Sequence, residues 1–350
     1  MHLGTVNMIR KWESGSSLHG FGMNHGGRMR GKWKDKRKTV LFWLLLSGML
    51  FTGCRESGSG QAETDGTAGY AGETQENRGK QEKDFTAGNP AEGGSTTTED
   101  AERGEVHVRF LKTAEDADCI MINSGERAVI IDTGEERDVK RMLEALEEQG
   151  VTAVDYMILT HPDKDHVGGA TLLLETFPVY HVMMPAYEGE EKKEERFARI
   201  RESCEEKGIP VTYPSEELTV STGYLDFTVY PPQEAFYEKA NNYSLAVLAN
   251  HGEVSMFFTG DALRIRSEEL MEIELPEIDL YKVPHHGRAN QATEELFGKV
   301  SPKYAVVTAG SAEDEVIRSC EEQGAQLFLT GEKGWEFISD GKELRLADEG

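Results

Sequence analysis

Positive charge is scarce in this 350-residue chain. Its 38 Lys and Arg stand against 63 Asp and Glu, a formal net charge of -25. So acidic a chain repels bulk nucleic acid and anionic lipid surfaces over long range. Any anionic substrate must be gripped by metal ions or by a local basic patch. Cysteine is scarce too. Cys54, Cys119, Cys204 and Cys320 fit no zinc ribbon and no CxxC pair. Cys119 lies in an apolar, strand-like run, and Cys204 and Cys320 in charged, helix-like segments. These three read as buried or incidental thiols, with a Cys204–Cys320 disulfide left open. Long apolar runs are missing except at residues 39–50, so this sequence supplies no multi-span channel and does not transport DNA by itself. Hydrophobic residues are only 38%, which points to a disordered portion diluting a normal core.

That portion is at the beginning. Residues 1–28 are polar and aperiodic, and translation is expected to start near Met29. A basic run (Arg30, Lys32, Lys34, Lys36, Arg37, Lys38) precedes the apolar stretch, and Phe51-Thr52-Gly53-Cys54 follows it. Basic, apolar, then small residues is the order of a secretory signal. Cys54 after Thr-Gly resembles the lipidated cysteine of a bacterial lipoprotein signal, although Phe51 stands where Leu is usual. An uncleaved signal anchor is the alternative. Either way the mature part is expected outside the cytoplasmic membrane. Residues 55–104, rich in Gly, Ser, Thr, Glu and Gln, cannot bury enough surface to offset chain entropy and form a tether. Residues 1–54 hold nine basic and two acidic side chains, so the remainder carries 29 basic and 61 acidic, a net of -32.

The folded domain is expected over 105–350. Apolar strand patterns recur at residues 106–111, 119–123, 128–132, 154–159, 179–184, 211–213, 218–220, 225–230, 244–249, 254–259, 280–283, 305–308, 326–329 and 334–338. Helical spacing marks 138–149, 170–177, 188–207, 267–273 and 313–323. Strands and helices interspersed in two similar halves predict two mixed sheets packed face to face with helices outside, an α/β (α+β) arrangement. No internal sequence repeat is evident.

Four apolar strands end in a turn that carries Asp or His. They are Ile131-Asp132-Thr133-Gly134, Thr160-His161-Pro162-Asp163-Lys164-Asp165-His166-Val167-Gly168-Gly169, Thr259-Gly260-Asp261 and Pro284-His285-His286-Gly287. If these strand ends share one edge of the fold, their side chains converge. Two adjacent divalent ions need about six protein ligands with one bridging carboxylate. His161, Asp163, Asp165, His166, Asp261 and His285 or His286 supply that number.

With Asn241-Asn242-Tyr243-Ser244-Leu245 and Lys282-Val283 added, the series resembles the metallo-β-lactamase-fold hydrolases. More narrowly, it looks like the soluble β-lactamase-like domain of the ComEC competence proteins and their stand-alone relatives, over roughly residues 105–340. The resemblance implies a four-layer αββα sandwich and a metallo-hydrolase that uses two divalent ions, Zn²⁺ or Mn²⁺. His161 and Asp163 would bind one ion with His285 as final ligand, Asp165 and His166 the other, and Asp261 would bridge. Asp132 would orient the His-rich loop, and a metal-bound hydroxide would attack, with Asp165 a candidate for positioning that water. Asn242, His286 and Arg288 are candidates for substrate contact, although Arg288 reads equally as an ordinary surface arginine. A phosphodiester, small or nucleic-acid, is the expected substrate; a non-catalytic metal-binding lipoprotein or another ester or lactone hydrolase is the alternative. No protein partner is expected, and the membrane is met through lipid at Cys54.

The sequence departs from the family in four places. Asp163 stands where the broad family has His, a more oxygen-rich choice that brings Mn²⁺ into competition with Zn²⁺. No His corresponds to the one the family places between the His-rich loop and the bridging Asp, since His181 and His251 read as structural. Arg288 follows Gly287 where ComEC-like proteins have Ser, and their Asn- and His-containing loop is missing after the next strand.

Overall fold

The computed structural model describes residues 104–223 and 225–348. The signal segment with Cys54, and all of the tether but Gly104, lie outside the described residues. Among the described residues no helix is long and apolar enough to cross a membrane.

Alternation along the strands builds the centre of the molecule. In β1 (Val106–Phe110), Val106, Val108 and Phe110 are buried while His107 and Arg109 are half-buried on the other face. β2 (Cys119–Ser124) and β3 (Arg127–Thr133) are apolar on both faces. Two-sided burial requires cover on both sides, and the fold provides it. One sheet runs β15-β14-β1-β2-β3-β4-β5-β6, the other β13-β12-β11-β10-β9-β8-β7. The remaining strands are β4 (Ala153–Ile158), β5 (Val182–Met183), β6 (Val211–Thr212), β7 (Leu218–Thr222), β8 (Leu225–Tyr230), β9 (Ala246–His251), β10 (Val254–Phe258), β11 (Leu280–Lys282), β12 (Tyr304–Val307), β13 (Gln326–Leu329), β14 (Trp335–Ser339) and β15 (Leu344–Leu346).

Three apolar layers hold the sandwich. Val108, Phe110, Ile131, Phe227, Val247 and Phe258 fill the space between the sheets. A second cluster joins the first sheet to α1 (Val139–Glu148), α3 (Ala170–Thr176) and α4 (Glu191–Lys207). A third joins the second sheet to α5 (Arg264–Met271), α6 (Thr293–Val300) and α7 (Asp314–Glu322). A single turn, α2 (Lys164–Val167), lies within the His-rich loop. The layers are therefore helix, sheet, sheet, helix, as expected.

Both sheets follow one plan that the sequence does not repeat. β1, β2 and β3 are antiparallel, then β3 to β6 run parallel. β7 to β10 are antiparallel, then β10 to β13 run parallel. The last antiparallel strand and the first crossover strand of each half are β3 and β4, and β10 and β11. Their carboxyl ends carry the four motifs, at the edge where open α/β sheets usually place their sites.

Some elements differ from expectation. The run 179–184 pairs regularly only at β5, because Pro178 and Pro185 bracket it. α5 starts at Arg264, earlier than the expected 267. α6 has Gly298 inside and buries Leu296, Phe297 and Val300 in only eight residues, too short a stretch to show a period. The open disulfide is absent: Cys119, Cys204 and Cys320 are free and buried, with Cys204 and Cys320 in different helical layers.

Candidate metal centre

Asp132, the penultimate residue of β3, is fully buried with φ 57. That left-handed conformation costs a non-glycine residue about 1–3 kcal/mol, so surrounding contacts must hold it. They do. Asp132 Oδ1 accepts the Thr160 N–H at 2.8 Å, and Oδ2 accepts the Thr160 hydroxyl at 2.6 Å and His166 Nδ1–H at 2.7 Å. The Thr160 hydroxyl, having donated to Asp132, accepts from His161 Nδ1–H at 3.1 Å. One carboxylate thus fixes two imidazoles with Nδ1 protonated and Nε2 facing the site, which is how outer carboxylates orient metal-binding histidines.

A second relay serves the other half. Asp118, directly before β2, is 1% exposed. The Thr308 hydroxyl donates to Asp118 Oδ1, and His286 Nδ1 lies 3.1 Å from Thr308 Oγ1 and 3.3 Å from Asp118 Oδ1. His286 is therefore oriented as His166 is, by a Thr–Asp pair behind it.

The inward atoms converge. His166 Nε2 lies 3.3 Å from His286 Nε2 and 3.3 Å from Asp261 Oδ1. His286 Nε2 lies 3.3 Å from Asp261 Oδ2 and 3.4 Å from Asp165 Oδ2. His161 Nε2 lies 3.6 Å from Asp163 Oδ2 and 3.8 Å from Asp261 Oδ2. His161 Nε2 and Asp261 Oδ1 are buried with no hydrogen-bond partner. Asp261 thus stands between the two sets. Gly260 makes room for it: with φ 53, a Cβ there would fall 2.9 Å from Ser244 Oγ and 3.0 Å from Thr160 Cβ. Gly169 is tight in the same way, its Cβ position 2.6 Å from Val139 Cγ2, which lets the loop close onto α1.

Three assignments need correction. The histidine that joins the cluster is His286, not His285, because the turn at Pro284–Gly287 has both histidines left-handed and swings the second ring inward. His286 also joins the set of Asp165 and His166, not that of His161 and Asp163. His285 is half-buried and turns outward, with Nε2 3.4 Å from the guanidinium of the exposed Arg288. Asn242 faces away from the centre, its Oδ1 3.4 Å from the backbone N–H of Arg266. Its neighbour Asn241 reaches the centre instead, with Nδ2 donating to Asp261 Oδ2 at 3.3 Å. His181 contacts Thr212 Oγ1 at 2.7 Å and His251 contacts Ser339 Oγ at 2.8 Å, both away from the site.

The sequence profile described as the metallo-beta-lactamase superfamily matches residues 113–310. The chain belongs to the metallo-β-lactamase superfamily. It is 30% identical over 203 residues to ComE operon protein 3 of Bacillus subtilis (strain 168), covering 56% of this chain and 26% of that protein. It is 24% identical over 208 residues to Recombination protein 2 of Haemophilus influenzae, covering 58% and 24%. The chain therefore spans about a quarter of the length of these relatives. Among solved structures, the metallo-beta-lactamase fold protein YhfI from Bacillus subtilis aligns with 12% identity and a TM-score of 0.46, covering 66% of this chain and 99% of that one.

This superfamily member meets the requirements of a divalent centre. Two buried triads, His161–His166–Asp261 and Asp118–His166–His286, bring ligand atoms within 4.8 Å of one another. Around a tetrahedral ion with bonds of about 2.1 Å, ligands stand about 3.4 Å apart, close to the 3.3–3.8 Å found here. The second triad already has a cation. Lys282 is fully buried, its ammonium 2.5 Å from Asp118 Oδ2, 3.5 Å from Asp261 Oδ1 and 2.7 Å from the Gly260 carbonyl. Divalent ions accordingly suit the Nε2 side of the rings. Five carboxylates (Asp118, Asp132, Asp163, Asp165, Asp261) face two ammonium groups (Lys282, Lys193), leaving three negative charges. Protons respond to that excess. Burial alone would lower the pKa values of His166 and His286, but Asp261 and the other carboxylates outweigh it. They raise His166 well above its ordinary value and push His286 up to about 11. The same field attracts a divalent ion in place of those protons.

Asp118 and Thr308 escaped the reading of the sequence, and Asn241 and Lys282 entered it only as members of motifs, with no role assigned. Lys282 did leave a signal, a lone charge inside the apolar strand Leu280-Tyr281-Lys282-Val283.

Proposed function

We propose that the chain is a metal-dependent hydrolase of phosphodiesters, nucleic acid among them, tethered outside the bacterial cell membrane through lipid at Cys54. The convergence of His161, His166 and His286 Nε2 with Asp163, Asp165 and Asp261 carries the proposal. A pair of divalent ions, Zn²⁺ or Mn²⁺, would supply Lewis acidity toward a phosphoryl oxygen and lower the pKa of water. Asp132 and Asp118 hold the imidazoles in the ligating tautomer. Asp165, with 38% of its side chain exposed, is the carboxylate of the centre most open to an incoming water. Burial would raise its pKa, but His286 and His166 outweigh this and keep it ionised, so it orients water or accepts its proton and is not an acid. Arg288 and His285 lie side by side on the outer face of the same turn and would meet a phosphate oxygen there.

A metal-binding module without catalysis is the second reading, favoured by the net charge of -32 after Cys54. Assays of the full chain with Mn²⁺ or Zn²⁺ on bis(p-nitrophenyl) phosphate and single-stranded DNA separate the two. Turnover that Asp165→Ala lowers about a hundredfold supports the hydrolase. Absence of turnover with any divalent ion sinks it, and turnover confined to esters or lactones transfers the activity to that class. Cys54→Ala should release the chain from the membrane; retention would contradict the lipid anchor.

A further inference from the structure

The two halves of the centre are built unequally. Asp165, His166, His286 and Asp261 form one set, two carboxylates and two imidazoles, each ring backed by a buried carboxylate. The other set has only His161, Asp163 and the shared Asp261. Among the described residues the further histidine within reach of it is His166, which already serves the first set, while His181 and His251 are engaged elsewhere.

A lysine stands at this poorer half. Lys193, in the first turn of α4, places its ammonium 2.8 Å from Asp163 Oδ1 and 3.1 Å from Glu190 Oε1, with 17% of its side chain exposed. Asp163 occupies the N-cap position of α2 yet does not cap it; its carboxylate turns to His161 and Lys193 instead. The lysine is not a wandering surface chain. Phe197, Ile200 and Cys204 bury one face of α4 in the apolar cluster that includes Val167 and Leu173. Arg196, one turn along, donates to the carbonyl of Pro162 in the His-rich loop. Tyr187 packs edge-on against Phe197, and its hydroxyl accepts from the Glu190 N–H at 3.0 Å, which fixes the start of the helix. Helix and loop are thus stitched together on both sides of the Lys193–Asp163 pair. An ammonium this close to a ligand opposes entry of a second positive ion by its charge, although it holds Oδ1 and leaves Oδ2 facing His161.

We propose that Lys193 is a tethered cation for the Asp163 half of the centre, so that the chain loads two divalent ions in order: first at Asp165, His166, His286 and Asp261, then, against the charge of Lys193, at His161, Asp163 and Asp261. This rests on the two-ion reading above and adds the regulation of that site. Calorimetric titration of the metal-free full chain with Mn²⁺ alone tests it, with Lys193→Met, Lys193→Arg and the exposed neighbour Lys192→Met in parallel. The expected result is two affinities in the wild type separated by about tenfold or more, the scale on which groups adjoining a ligand tune metal affinity. Lys193→Met should tighten the weaker site about tenfold without altering the stronger one, whereas Lys193→Arg and Lys192→Met should leave the gap in place. Equal affinities in the wild type, or a weaker site unchanged or loosened by Lys193→Met, overturn the tethered cation while the metal centre stands. No Mn²⁺ binding by any variant overturns both. Melting curves of each metal-free variant establish that the fold is kept.

Discussion

Replacing Asp118 with Asn tests the buried charge pair behind the centre. Asn keeps the shape and can still accept from Thr308, but it leaves the Lys282 ammonium, fully buried, facing a neutral amide at what was a 2.5 Å ion pair. Removing one member of a buried pair costs about 3–5 kcal/mol, because the remaining charge is not rehydrated. Asp261 at 3.5 Å and the Gly260 carbonyl at 2.7 Å stay in place and keep the loss within that range. For a folded domain of this size each kcal/mol is worth about 2–4 °C, so Asp118→Asn should melt about 6–20 °C below the wild type in EDTA. His286 loses its charged acceptor as well, and metal affinity should fall about 10–100-fold. Asp118→Asn combined with Lys282→Met removes both charges and should regain more than half of the lost melting temperature, but not the metal affinity. Scanning calorimetry in EDTA and in Mn²⁺ reads both effects. An Asp118→Asn variant that melts within about 2 °C of wild type and binds metal normally would show that this pair neither holds the fold nor orients His286.

Three further perturbations separate other parts of the account. His286→Ala should weaken metal binding at least about tenfold, while His285→Ala changes it by less than about threefold; equal effects in a metal titration would undo the exchange of roles between them. Gly260→Ala forces a Cβ to 2.9 Å from Ser244 Oγ at φ 53, so denaturant melts should show a loss of about 1–3 kcal/mol. A variant as stable as wild type would mean that the strand end relaxes freely. Burial pushes the Cys204 and Cys320 thiols up to about 11, with Glu321 adding to the rise at Cys320. Raised folded-state values mean that their contribution to stability is complete below the ordinary thiol value and is lost as pH rises through about 11. At pH 8 both should resist a disulfide reagent until denaturant is added, and fast labelling of either in the folded chain would contradict their burial.

Most of the fold was legible because its strands are apolar on one or both faces and its turns carry glycine, signals that act over a few residues. α6 escaped because its eight residues include Gly298, which interrupts the apolar run Leu296, Phe297 and Val300. The site was legible where side-chain chemistry is concentrated, in the loop from His161 to His166, and dim where long-range topology decides. Asp118 sits in Asp116-Ala117-Asp118, which looks like solvated acid in a chain with 63 Asp and Glu. It becomes the partner of Lys282 only because the two sheets bring together residues 164 positions apart. The errors at His285 and Asn242 share a cause. In each case two like residues lie side by side in a tight 3₁₀ turn, where one residue rotates the side chain by about 120°. Composition says that a histidine or an asparagine enters the site, but the backbone angles of the turn decide which.

The central claim is that strand ends far apart in the chain assemble a buried centre for divalent ions. Elemental analysis of the full chain, purified without chelator and then equilibrated with Mn²⁺ or Zn²⁺, tests it most directly. The expected content is about two ions per chain at saturation, falling below about one when Asp261, which touches both ligand sets, is changed to Ala. Fewer than about one ion per wild-type chain under every condition would contradict the account, whatever activity accompanied it.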